Sequence, residues 1–314
     1  MNINIENGVR ASALDQVLSA QDTDTLILNT ANGTKKITKA ELLRELTPND
    51  YMNVGRDLTV VFASEIANYS DEWAWIQARL DAHNLDDLFE GDYIPVTMTT
   101  GEIIEMQIAG INTYLNIFSG AVHPHIDWIS RDSLATTHVW NTTNNNNGDS
   151  TEAQPFMASA LYKWLNTTVS GDSTSNILSK LPQKVRNVIK AKRLYMPTRY
   201  TNGSSLTDDN SWADKSFTGL WLPFEGEIFE HCSWSTRGYG TAAMRQYGLF
   251  KSSWKAVMKR NGRGGSFGSW WTASAYSGYA TISVLVFAYG GSSYFNDASY
   301  AYGVPVCFRT MAAA

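Results

Sequence analysis

The alternation of apolar and polar positions divides the chain into three stretches. Near the start, Thr25-Leu26-Ile27-Leu28 is a short strand-like run, and Asn32-Gly33 marks a turn before Lys36-Ile37. Thr38-Lys39-Ala40-Glu41 has the spacing of a capping box, in which a hydroxyl and a carboxylate three residues apart satisfy the first backbone N–H groups of a helix. Leu42, Leu43 and Leu46 supply the apolar face of that helix and Pro48 stops it. Residues 1–50 therefore read as a small module, and one that buries so little surface needs a partner chain or a neighbouring domain. Residues 51–89 read as a helical connector. Ser70 is placed to cap a helix in which Trp73, Ile76, Ala78 and Leu80 alternate with Asp71, Glu72, Gln77 and Arg79, ending near Asn84.

From about residue 90 the period shortens. Tyr93-Ile94-Pro95-Val96-Thr97-Met98 and Ile103-Ile104-Glu105-Met106-Gln107-Ile108 flank Thr100-Gly101 as the arms of a β-hairpin. Two helical segments follow: one from about Met157 to Asn166, with Met157, Leu161, Trp164 and Leu165 along a face, and one from Gln183 to Arg193, with Val185, Val188 and Ile189 inward. The polar tracts 141–150 and 167–175 between them read as loops. Beyond residue 200, short apolar pieces are separated by Gly, Ser and Asn. Strands, two helices, then a loop-rich stretch ending in strands form an α+β pattern, with residues 90–314 as its main domain.

Charge narrows the function. With 25 Lys+Arg against 30 Asp+Glu the net charge is −5, and no basic block is present, which argues against nucleic acid as a partner. No apolar stretch approaches the roughly 20 residues of a membrane helix, so membrane insertion is not expected. Met1-Asn2-Ile3-Asn4-Ile5-Glu6 lacks the basic-then-apolar pattern of an export leader, and synthesis in the cytoplasm is expected. Cys232 and Cys307 make neither a disulfide framework nor a zinc spacing. They could pair, but buried thiols are the preferred reading.

Residues 272–302 differ from the rest. At the chain's 18% charged residues this stretch would carry five or six charges; it carries Asp297 alone. Lys, Arg, Glu, Gln, Met, Trp, His, Pro and Cys are absent from it, while six of the 15 tyrosines lie within it. Tyrosine offers a large amphipathic contact area at low side-chain entropy, and Ser, Gly and Asn adapt their hydrogen bonding, so this is the composition of an evolved binding surface. Flanking Trp270-Trp271 and Val304-Pro305-Val306-Cys307-Phe308 read as core anchors. In Ser283-Val284-Leu285-Val286-Phe287, alternation puts Val284 and Val286 on one face and Ser283, Leu285 and Phe287 on the other. With the valines inward, the binding surface comprises Tyr276, Gly278, Tyr279, Thr281, Ser283, Leu285, Phe287, Ala288, Tyr289, Ser293, Tyr294, Phe295, Asn296, Asp297, Tyr300 and Tyr302. The competing phase puts Leu285 and Phe287 in the core.

The segment Gly268-Ser269-Trp270-Trp271-Thr272-Ala273-Ser274, the uncharged run, and then Tyr302-Gly303-Val304-Pro305-Val306-Cys307-Phe308-Arg309 together resemble the C-terminus of the variable proteins of diversity-generating retroelements. The resemblance implies a C-type-lectin-like fold, related to formylglycine-generating enzymes, over about residues 90–310. In that family an error-prone reverse transcriptase replaces template adenines, mainly at AAY codons, and every residue from 272 to 302 is reachable from such codons. It further implies a phage tail-fibre or tropism-determinant role on a virion, a homotrimer, a bacterial surface protein or glycan as partner, and virion anchoring through the N-terminal module. No chemistry and no cofactor are implied. The catalytic cysteine pair of the formylglycine-generating enzymes is not matched, because Cys232 and Cys307 have no close cysteine neighbours. A bacterial surface lectin or adhesin that never varied is the alternative.

Three further groups carry possible chemistry. His123-Pro124-His125 with Asp127 brings ligand-type side chains together, but a metal site needs three or four converging donors, and structural hydrogen bonding is the preferred reading. Asn261-Gly262-Arg263-Gly264-Gly265-Ser266 looks like a phosphate-cradling loop without its motif, and reads as a flexible lead-in. Trp270 and Trp271 could stack on a sugar, but a structural role is preferred.

Overall fold

The computed structural model describes residues 55–117, 123–167, 176–202, 205–207, 212–235, 244–252, 254–289 and 291–313, with the backbone of strands at 2–4, 25–30 and 33–38. The helix expected around Leu42–Leu46 and most of the tract 167–175 lie outside these residues. The fold is α+β, with short helices and several small, mostly antiparallel sheets.

In chain order, β1 (Asn2–Asn4), β2 (Thr25–Thr30) and β3 (Gly33–Thr38) form one sheet, β2 turning back onto β3 where Thr30 pairs with Gly33. Next come α1 (Leu58–Val61), α2 (Ala63–Ile66) and α3 (Glu72–Asp81). Asp71 rather than Ser70 caps α3. Its carboxylate accepts the N–H groups of Trp73 and Ala74, both at 2.9 Å, and a negative charge there also suits the helix dipole. The helix stops at Asp81, short of the expected Asn84.

The expected hairpin is β4 (Tyr93–Thr97) with β5 (Ile103–Ile111), followed by β6 (His125–Ser130) and β7 (His138–Val139). The helix expected over 157–166 is split into α4 (Pro155–Ala158) and α5 (Ala160–Asn166). Ser159 between them is extended, and its hydroxyl accepts the Tyr162 N–H at 3.0 Å, starting a new helix where the old one ends. After α6 (Ile177–Lys180), α7 (Gln183–Val188) is shorter than the expected 183–193. Ile189 turns extended, and Lys192 already belongs to β8 (Lys192–Pro197).

Strands β9 (Tyr200–Asn202) and β10 (Ser205–Thr207) pair together, and β11 (Trp212–Phe217) returns against β8. Helices α8 (Glu225–Phe229) and α9 (Gly248–Ser252) lead into the C-terminal strands. These are β12 (Lys259–Arg260), β13 (Phe267–Gly268), β14 (Trp270–Ala275), β15 (Ile282–Val286), β16 (Ser293–Asp297), β17 (Ala301–Tyr302) and β18 (Cys307–Met311). The last strand closes the main sheet, in the order β18-β6-β5-β4, and a second sheet has the order β14-β15-β16.

One apolar core runs from α1 to β18. Trp73 of α3 lies edge-on to Trp128 of β6 at 5.1 Å and 5.5 Å from Phe308 of β18. The segment expected as a connector thus packs into the main core. Each such ring contributes roughly 1.5–3 kcal/mol relative to an exposed one. Among the described residues, no helix is long and apolar enough to cross a membrane.

Candidate functional site

The β14-β15-β16 sheet organises the uncharged segment into framework and display. Trp270 and Trp271 are adjacent on β14 and point to opposite faces, yet both are fully buried, so the sheet is covered on both sides. Their indole N–H groups are satisfied by the Val257 carbonyl at 2.8 Å and the His138 carbonyl at 3.0 Å. Strand β15 is central and buried throughout its inner part. This corrects two of the expected surface residues: Ser283 and Leu285 are 0% and 1% exposed, like Val284 and Val286 beside them. The alternation argument assumed one wet face, and this strand has none. Phe287, where the strand ends, does point outward.

The remaining expected residues lie on the turns and on the outer strand β16, except Tyr302 on β17. Tyr289 is 80% exposed, Tyr279 63%, Tyr300 55%, Tyr294 46% and Phe287 37%. Gly278 and Thr281 are exposed; Tyr276, Ala288, Ser293, Phe295, Asn296, Asp297 and Tyr302 are half-buried. Rings touch in an unbroken series: Tyr289 to Phe287 at 5.6 Å, Phe287 to Tyr294 at 5.4 Å, Tyr294 to Phe295 at 5.1 Å, Phe295 to Tyr276 at 5.0 Å, and Tyr276 to Tyr279 at 5.7 Å. Tyr302 turns away from this series and packs edge-on against Trp271 at 4.9 Å. Its hydroxyl accepts a hydrogen bond from the Asn296 amide.

Four residues outside the segment hold this surface, and none was singled out for it from the sequence. Trp234 adds a seventh ring, 4.6 Å from Phe295 and 5.8 Å from Tyr276, and donates its indole N–H to the Ser293 carbonyl at 3.2 Å. Glu225, at the start of α8, is buried. It accepts the backbone N–H groups of Ser233 at 3.0 Å, Trp234 at 3.3 Å and Ser235 at 2.9 Å, together with the hydroxyls of Ser235 and Ser293. That carboxylate fastens the Trp234 segment to β16. Asn146, fully buried in the tract read as a loop, gathers the turn between β14 and β15. Its amide donates to the Tyr279 carbonyl at 2.8 Å, the Tyr276 carbonyl at 3.3 Å and the Ile282 carbonyl, and its own N–H to the Ala280 carbonyl at 2.6 Å. Arg199 donates to the Tyr276 carbonyl at 2.8 Å and to the Asn146 side-chain oxygen. Buried polar groups bonded at several points hold a loop in one conformation.

The other candidate groups serve the core. Asp127 forms a two-point ion pair with Arg309, both contacts at 2.8 Å. Burial alone would raise its carboxyl, but Arg309 and Lys192 hold it at about 2. His125 is buried, its ring accepting the Tyr114 N–H at 3.2 Å and donating to the His123 carbonyl at 3.1 Å. Burial and the neighbouring Arg309 lower its pKa to about 4. Lys192 donates to Glu227 at 2.6 Å and to the Tyr247 hydroxyl at 2.7 Å, with its ammonium 3.6 Å from the Trp221 ring centre. Cys232 and Cys307 form no disulfide, and burial pushes the Cys307 thiol up. The 261–266 segment, expected as a flexible lead-in, is the ordered turn of the β12–β13 hairpin: the Asn261 N–H donates to the Ser266 carbonyl at 3.0 Å.

The side chains converging on the outer sheet are mainly π-faces and hydroxyls, with one amide (Asn296) and one carboxylate (Asp297), which is the chemistry of binding by stacking and hydrogen bonding. No curated protein and no solved structure matches the chain. Residues 128–310, more than half of it and including every element of this surface, match the family described as a domain of unknown function, DUF6273, and the chain belongs to that family.

Proposed function

We propose that this chain is a receptor-binding protein of the phage tail-fibre type, whose ring surface is diversified by a retroelement and carried on a C-type-lectin-like scaffold. The observation that carries the reading is one coincidence. The 31-residue stretch with a single charged residue also displays five of the nine exposed large hydrophobic side chains among the described residues. Exposed apolar patches of this kind mark interaction sites. The braces on Asn146, Arg199 and Glu225 lie outside the 272–302 stretch, so the rings can change while the frame stays. The partner is a bacterial surface protein or glycan, and weak single contacts gain strength through the avidity of a trimer and of many fibres. Residues 1–50 would attach the chain to other virion proteins. An enzyme of the formylglycine-generating type is disfavoured because Cys307 is sealed in the core.

Three experiments test this. Binding of the protein and of Tyr289→Ala/Tyr294→Ala to a panel of bacterial cells is expected to fall at least tenfold in the variant. Equal binding would remove the rings from the mechanism. Sequencing around the gene is expected to find a near-identical repeat differing only at adenines, beside a reverse transcriptase. Its absence would favour a bacterial surface adhesin of constant sequence. A monomer in light scattering would remove the trimer.

A further inference from the structure

A concave site lies outside the ring surface. A cleft of about 420 Å³ is bounded by β5, the 249–258 segment and the β12–β13 hairpin, a size that suits a small ligand. Four cations face it: Arg131, Lys255, Arg260 and Arg263. Two carboxylates oppose them. Glu105 is already shared by Arg131, at 2.5 Å, and Arg263, at 3.4 Å, and an Asp132 oxygen accepts the Arg260 backbone N–H at 3.1 Å. Neither the Lys255 ammonium nor the Arg260 guanidinium has an ion-pair partner among the described residues, so the cleft keeps an excess positive charge. Its remaining lining is apolar except for Gln107. Phe267 is 50% exposed with the Arg260 guanidinium 5.1 Å from its ring centre, and Met258 and Leu249 lie beside it.

We infer that this cleft binds an acidic sugar, its carboxylate or phosphate taken by Lys255 and Arg260 and its ring lying against Phe267. An arginine fork matches the geometry of either anion, and an aromatic ring packs against the apolar face of a sugar. The cleft and the turn carrying Tyr289 adjoin at Met258. Gly291 sits in the turn carrying Tyr289, with φ +62°, and a Cβ there would lie 3.3–3.4 Å from Met258 and Val257. The anion site stands on the cleft alone. Its place within a receptor, as an acidic unit of a cell-surface glycan that also crosses the rings, rests on the proposed function.

Calorimetric titration of the full chain with glucuronate, glucose 6-phosphate, glucose and inorganic phosphate tests the site. Both acidic sugars are expected to bind at least tenfold tighter than glucose, to weaken with added salt, and to lose at least tenfold in Lys255→Ala/Arg260→Ala. Both side chains are exposed, and an unchanged melting temperature confirms that the variant is folded. Acidic sugars no tighter than glucose, or unaffected by the double substitution, would overturn the site. Inorganic phosphate as tight as glucose 6-phosphate would overturn the sugar. Tyr289→Ala/Tyr294→Ala should leave these titrations unchanged, so undiminished binding of that variant to cells would sink the proposed function and spare the cleft. Lys255→Ala/Arg260→Ala binding cells normally would sink only the link between the two.

Discussion

The molecule hides charge in its centre and displays rings at its edge. Asp127, Lys192, Glu227 and Arg309 are 0–1% exposed, while Tyr279 and Tyr289 stand mostly in solvent. The difference separates two tasks. Each of these four charges meets an opposite charge, so this cluster is closed electrostatically without help from the surface. The rings touch mainly each other and solvent, so replacing one leaves the frame standing. A face that must change without unfolding its scaffold requires this division.

The division is broken most severely from within. Arg309→Ala leaves Asp127 buried without its partner, and chemical denaturation is expected to show a loss of about 3–5 kcal/mol. A hydrophobic replacement of both residues together should cost much less.

Acid attacks the same interior. His125 is held neutral with a pKa of about 4, below its ordinary 6.5. Between those values the unfolded chain binds more protons, so stability falls as pH drops from 6.5 towards 4, by roughly 3 kcal/mol. The depressed carboxyl of Asp127 acts in the same direction at lower pH, its contribution being lost from about 4 down to about 2. Thermal melts at pH 7, 5.5 and 4 check the slope, and a flat profile would place His125 in water.

The border between the two regions should give a smaller effect. Asn146→Ala strips the carbonyls of Tyr276, Tyr279 and Ile282 of their donor and is expected to destabilise by about 2 kcal/mol. Hydrogen exchange should report loosening confined to the 276–282 turn. At the rim, Tyr289→Ala should change stability by no more than about 0.5 kcal/mol, even as binding to cells falls. A large loss there would show that the rings also support the fold.

Much of this was legible in the chain. The 93–108 hairpin follows from apolar alternation around Thr100-Gly101, and the displayed segment stands out by its lack of charge. The Trp270-Trp271 pair announced a buried anchor because two large rings on adjacent strand positions must both find cover. Other features were out of reach. Asn146 sits about 130 residues from the carbonyls it binds, and no local pattern separates such an amide from any other in an asparagine-rich loop. Glu225 and Trp234 were invisible as supports for the same reason. The helix through Arg193 was misjudged because Lys192 on a buried strand resembles a charge on a helix surface; only its pairing with β11 distinguishes them.

Composition and short-range periodicity depend on neighbours in the chain, so the amino-acid order alone determined the α+β character, the hairpins and the unusual alphabet of 272–302. Which of those residues meet solvent depended on what packs above and below the β14-β15-β16 sheet. Those covers come from distant parts of the chain, and only the tertiary structure could bury Ser283 and Leu285 while leaving Phe287 and Tyr289 in water.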